Sequence, residues 1–122
     1  MPVDEVTSAH LDSLVEAGLL QSATFRAVAD LLTCVAEETP LALVLEDIHW
    51  ADEASLALLE HLMPLTDRVP LLLLAVMRPL RTHGCWRVRE VAARDYDHRY
   101  TDVRLTPLSM EEGTALIRHL LT

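Results

Sequence analysis

The sequence predicts an α/β domain, a mostly parallel sheet flanked by helices in a three-layer arrangement. Two short segments, 41–45 and 71–76, are apolar at every position. Strands that are apolar on both faces belong inside a parallel sheet covered by helices. Between them, Glu53 to Leu65 carries Leu56, Leu59, Leu62 and Met63 at helical spacing. Strand, helix, strand in that rhythm makes a βαβ unit with a right-handed crossover.

The other elements follow from local signals. A short helix is expected around His10 to Ala17, and a firmer one from Ala23 to Glu38 with Ser22 as its N-cap. Phe25, Val28, Leu31, Leu32 and Val35 recur at helical spacing and predict one buried stripe. Pro40 stops the helix, because proline has no amide proton to donate. The first strand, Leu41 to Leu45, then runs into Glu46-Asp47. Pro70 introduces the second, which Met77-Arg78-Pro79 closes. A third helix is expected over Trp86 to Arg94, and alternation over Thr101 to Leu105 suits an edge strand. Ser109-Met110-Glu111-Glu112 has the form of a capping box and opens a last helix through Leu120.

Composition sets limits on function. At 122 residues, 51% apolar, the chain suffices for one small domain with a core of mainly Leu, Val and Ala. Its longest apolar run, Pro70 to Met77, is far below the roughly 20 residues that span a bilayer. The acidic N-terminal stretch lacks a signal-peptide pattern, which sets a cytoplasmic expectation. Cys34 and Cys85 show neither CxxC spacing nor zinc-type histidine partners, so they read as buried or idle thiols. The net charge of −9 divides into −12 over residues 1–67 and +3 over residues 68–122. So acidic a first half argues against general nucleic-acid affinity. The arginines of the second half read chiefly as solvated surface.

The chain has ten arginines and no lysine, and its glycines are Gly18, Gly84 and Gly113. A phosphate-binding loop of the form Gly-x-x-x-x-Gly-Lys-Ser/Thr needs glycines to wrap backbone amides around phosphates and a lysine to reach them. These residues cannot form that loop.

Chemistry concentrates at Leu41-Ala42-Leu43-Val44-Leu45-Glu46-Asp47-Ile48-His49-Trp50-Ala51-Asp52. Apolar residues followed by two acids have the form of a Walker B motif. A rigid strand delivers such acids to the carboxyl edge of the sheet, where open α/β folds bind ligands. One carboxylate can hold Mg²⁺, usually through water. Its neighbour can orient or deprotonate an attacking water. The flanking residues have plainer roles: Asp52, before Glu53 and a helix, suits an N-cap, and His49 and Trp50 are expected to pack the loop against the sheet. The remaining histidines, His10, His61, His83, His98 and His119, share no ligand spacing.

The string Glu46-Asp47-Ile48-His49-Trp50-Ala51-Asp52 resembles the acidic-pair, hydrophobic, His-Trp-Ala-Asp signature of the STAND class of P-loop NTPases. That group is often labelled origin-recognition-like AAA ATPase domains. It occurs in bacterial LuxR-type regulators, in class III nucleotide cyclases and beside Ser/Thr kinase domains. The resemblance runs from about Ser22 onward, after the family's phosphate loop. Leu71 to Arg78 resembles the sensor 1 strand, and Leu105-Thr106-Pro107-Leu108-Ser109 resembles the start of the lid at about residues 107–122.

The resemblance implies a partial P-loop NTPase fold over residues 1–122, truncated at both ends, with ATP and Mg²⁺ as cofactors. It makes Glu46 the metal-side acid, Asp47 the second metal-side and catalytic carboxylate, and Arg78 the sensor of the γ-phosphate. A strand-end arginine is the plainer reading of Arg78. It also implies that the phosphate-loop strand lies between the other two, so that 41–45 and 71–76 would not be neighbours. The expected function is an ATP-driven switch that contacts the other domains of a multidomain regulator, with no direct role for nucleic acid or membrane. Two alternatives stand: a non-hydrolysing scaffold for protein–protein contacts, and, weakest, a nucleic-acid module over Arg81 to Arg104.

Overall fold

The computed structural model describes the backbone of residues 2–122 and the side chains of residues 6–122. Its elements are helix α1 (Pro2–Glu38), strand β1 (Leu41–Leu45), helix α2 (Glu53–Leu62), strand β2 (Leu71–Ala75), helix α3 (Cys85–Asp95) and helix α4 (Met110–Leu121). A 3₁₀ turn over Met63–Asp67 prolongs α2, where Pro64 denies the chain an α-helical donor.

Strands β1 and β2 pair directly and in parallel, Leu41 opposite Leu71 through Leu45 opposite Ala75. Within residues 1–122 the strands are therefore neighbours, where the family's strand order implies that each lacks a partner. Residues 46–70 carry one helix flanked by two 3₁₀ turns, the kind of crossover that joins adjacent parallel strands. The pairing is sealed at both ends: the Leu41 amide donates to the Pro70 carbonyl at 2.9 Å and the Val76 amide to the Leu45 carbonyl at 2.8 Å.

The helices cover one face of this pair. Leu41, Leu43 and Leu45 on β1, with Leu71, Leu73 and Ala75 on β2, pack toward them. Two clusters form there. Ile48, Leu56, Leu59, Met63, Cys85 and Val88 join α2 and α3 to the loop after β1. Ala36, Leu62, Leu65 and Leu71 join α1 to the other end of α2. Gly84 lets α3 approach α2 closely, since a Cβ there would lie 2.9 Å from the Leu56 Cδ1 and 2.8 Å from the Glu53 Oε1. The opposite sheet face, Ala42, Val44, Leu72, Leu74 and Val76, is exposed. The described residues therefore form two layers, where the two-sided apolarity of the strands predicts three.

Helix α1 is one continuous helix, so the two expected helices merge and Ser22 lies inside it rather than capping it. The stripe is also revised. Val28, Ala29, Leu32 and Ala36 face the core, whereas Leu31 and Val35 are exposed. Alanine at 29 and 36 lets the helix approach the neighbouring layer closely, and this outweighs side-chain size. Residues 6–24 are exposed throughout. By length and apolarity alone the segment Val6–Glu38 could cross a bilayer, at mean hydropathy 1.2 in its most apolar window. Its C-terminal part is instead used against Leu62, Leu65 and Leu71.

Toward the C-terminus, Thr101 to Leu105 is irregular and exposed, not the expected edge strand. Alternation alone does not make a strand, and the segment pairs with neither β1 nor β2. Helix α4 begins as predicted, with the reciprocal Ser109–Glu112 capping box. The two thiols divide: Cys34 is exposed and Cys85 buried, where burial pushes its pKa up.

Candidate active site at the carboxyl edge of the sheet

The end of β1 places Glu46 and Asp47 beyond the last paired residue, both exposed to solvent. Asp47 adopts the left-handed conformation, φ 54° and ψ 38°, the one non-glycine residue with positive φ among those described. Aspartate tolerates this region better than most residues, yet an outlier of this kind costs about 1 kcal/mol or more. It turns the chain sharply out of the strand into a 3₁₀ turn over Ile48–Trp50.

That turn is stitched to the end of β2. The Ile48 amide donates to the Val76 carbonyl at 3.2 Å. The Arg78 amide donates to His49 Nδ1 at 3.3 Å, across 29 residues of sequence. His49 is buried at 5% exposure, and its Nε2 lies 4.0 Å from the Asp47 Oδ1. The structure thus brings segment 46–49 and segment 76–78 together at one sheet edge. Among the described residues, neither Glu46 nor Arg78 has an ion-pair partner within the fold. Both stay available to a ligand.

The flanking residues resolve differently. Asp52 is an N-cap: its Oδ1 accepts the Ser55 amide at 2.9 Å and opens α2. Hydrogen bonds from the Ser55 side chain and amide hold the Asp52 carboxyl below its ordinary value. A depressed folded-state pKa gives stabilisation that is complete above the unfolded value, about 4, and lost as pH falls through the folded one. Asp52→Ala should accordingly lower the thermal midpoint by several degrees at neutral pH. Circular-dichroism melts should show this deficit narrowing below about pH 4. A deficit constant down to about pH 2 would show that the carboxylate charge contributes nothing.

Trp50 departs from expectation. It is 78% exposed, touching the His49 ring edge-on at 5.3 Å instead of packing on the sheet. His49 is, beyond its expected packing role, the bond between the two loops. A histidine between two apolar residues after a strand signals burial, but its partner lies too far along the chain for any local pattern to reveal.

Glu46 and Asp47 are the residues that would meet a divalent cation at this edge. Two adjacent exposed carboxylates lie at the edge, and no group of three or more His, Cys, Asp or Glu side chains converges among the described residues. Mg²⁺ is usually held by one or two carboxylates, with waters and substrate phosphates completing the shell.

Residues 3–74, more than half of the chain, match the family model described as the AAA ATPase domain. The match takes in α1, β1, both acids and nearly all of β2, starting earlier than about Ser22 and ending before Arg78. No curated protein and no solved structure is detectably similar.

Proposed function

This chain belongs to the AAA ATPase domain family, and from that premise we propose that it is the Walker B and sensor portion of an ATP-hydrolysing switch. The parent would be a cytoplasmic, multidomain bacterial regulator of the STAND class, in a three-layer P-loop fold completed by segments beyond these residues. The observation that carries the reading is the delivery of Glu46 and Asp47 from the end of β1 to a point bonded to residues 76–78.

Bound Mg²⁺ would neutralise phosphate charge and help align the γ-phosphate for in-line attack. Glu46 would hold the ion, through its water shell. Asp47 accepts a hydrogen bond from the attacking water and orients it. Arg78 presents a planar, permanently charged fork to the γ-phosphate oxygens. The lysine and glycine-rich loop come from another segment, since residues 1–122 contain no lysine.

Residues 1–122 alone should therefore hydrolyse no ATP above an Asp47→Ala control, while the native protein carrying them binds Mg²⁺-ATP. Isothermal titration of the native protein with a non-hydrolysable ATP analogue checks this. Absence of binding would leave the scaffold reading, which the exposed apolar sheet face at Leu72 and Leu74 favours.

A further inference from the structure

Among the described residues, His49 is the one buried polar side chain. Buried polar atoms need partners inside the protein. Its Nδ1 accepts the Arg78 amide proton at 3.3 Å. An accepting ring nitrogen carries no proton, so the neutral imidazole holds its proton on Nε2. That nitrogen lies 4.0 Å from the Asp47 Oδ1, too far for a direct hydrogen bond. One rigid ring thus touches both the strained turn at Asp47 and the chain at Arg78.

We infer that His49 is a positioning residue, an Nε2-protonated imidazole that clamps the Arg78 backbone to the Asp47 turn. The inference rests on reading Glu46, Asp47 and Arg78 as the groups that face the nucleotide. Arg78 reaches a phosphate through a long, flexible side chain, and the clamp fixes the point from which it reaches. His49 itself touches no substrate. Misplacement of a reacting group by about 1 Å can cost about 100-fold in rate, so such a clamp has a measurable consequence.

Asparagine and glutamine separate the two ring nitrogens. His49→Asn puts a carboxamide oxygen near the Nδ1 position and can still accept from Arg78, whereas His49→Gln reaches toward Nε2. Amide hydrogen exchange at Arg78, measured by NMR, should stay within about 3-fold of wild type in His49→Asn and rise about 10-fold or more in His49→Gln. Nitrogen-15 spectra of the wild-type imidazole should place the proton on Nε2, a readout that needs no variant to fold. In the native protein, His49→Gln should lower kcat about 10-fold with the KM for ATP within about 3-fold, and His49→Asn should restore most of it. Equal Arg78 exchange in both variants, or a proton on Nδ1, overturns the clamp. A broken clamp with kcat unchanged overturns its positioning role. Should Asp47→Asn also leave hydrolysis untouched, the nucleotide-site reading has failed instead.

Discussion

Replacing Asp47 with asparagine should cut ATP turnover by the native protein at least about 100-fold, with ATP affinity changed far less. Asparagine is the informative substitution because it tolerates the left-handed backbone that Asp47 occupies at φ 54°. It therefore removes the charge without disturbing the turn. Alanine would confound the two, since its Cβ disfavours that conformation and the turn itself would shift. A carboxamide can still touch water but accepts a proton far more weakly, so the loss belongs to kcat rather than to binding. Single-turnover hydrolysis beside analogue binding makes the comparison. Turnover within about 3-fold of wild type would remove Asp47 from the chemistry and leave the strand-end acids as solvated caps.

Leu56→Ala should destabilise the fold by about 3 kcal/mol, a large fraction of what a small domain possesses. Leu56 is 1% exposed and sits where α2 meets Ile48, Cys85 and Val88. The cost grows with whatever part of the vacated volume α2 and α3 fail to close. The cost extends to the site. Ile48 belongs to the same cluster, and its turn carries His49 and follows Asp47. Urea unfolding at matched m-value measures the effect, with Leu56→Met as a volume-conserving control that should cost under about 1.5 kcal/mol. A loss below about 1 kcal/mol for the alanine variant would mean that this cluster does not hold the domain together.

Some of this was legible before any fold was known. The strand at 41–45 could be read because five apolar residues between Pro40 and two acids have few other uses. The capping box at Ser109 and the N-cap at Asp52 were readable because a cap is a contact over three residues, well within local range. Helix α1 was harder. Its stripe depends on which residues meet α2, and Ala29 and Ala36 carry little hydrophobic signal despite lying against the core. The irregular course of 101–105 shows the converse, since alternation describes a strand only where the backbone pairs with a neighbour.

By itself, the sequence determined the two apolar strands, the helix between them, and the identity of two carboxylates at the first strand's end. These are consequences of hydrophobic patterning and short-range hydrogen bonding, which act through residues close along the chain. The tertiary structure alone decided that β1 and β2 are neighbours, that helices cover one sheet face among the described residues, and that His49 bonds Arg78 across 29 positions. Those outcomes depend on which surfaces meet, and the distances involved exceed anything a local pattern encodes.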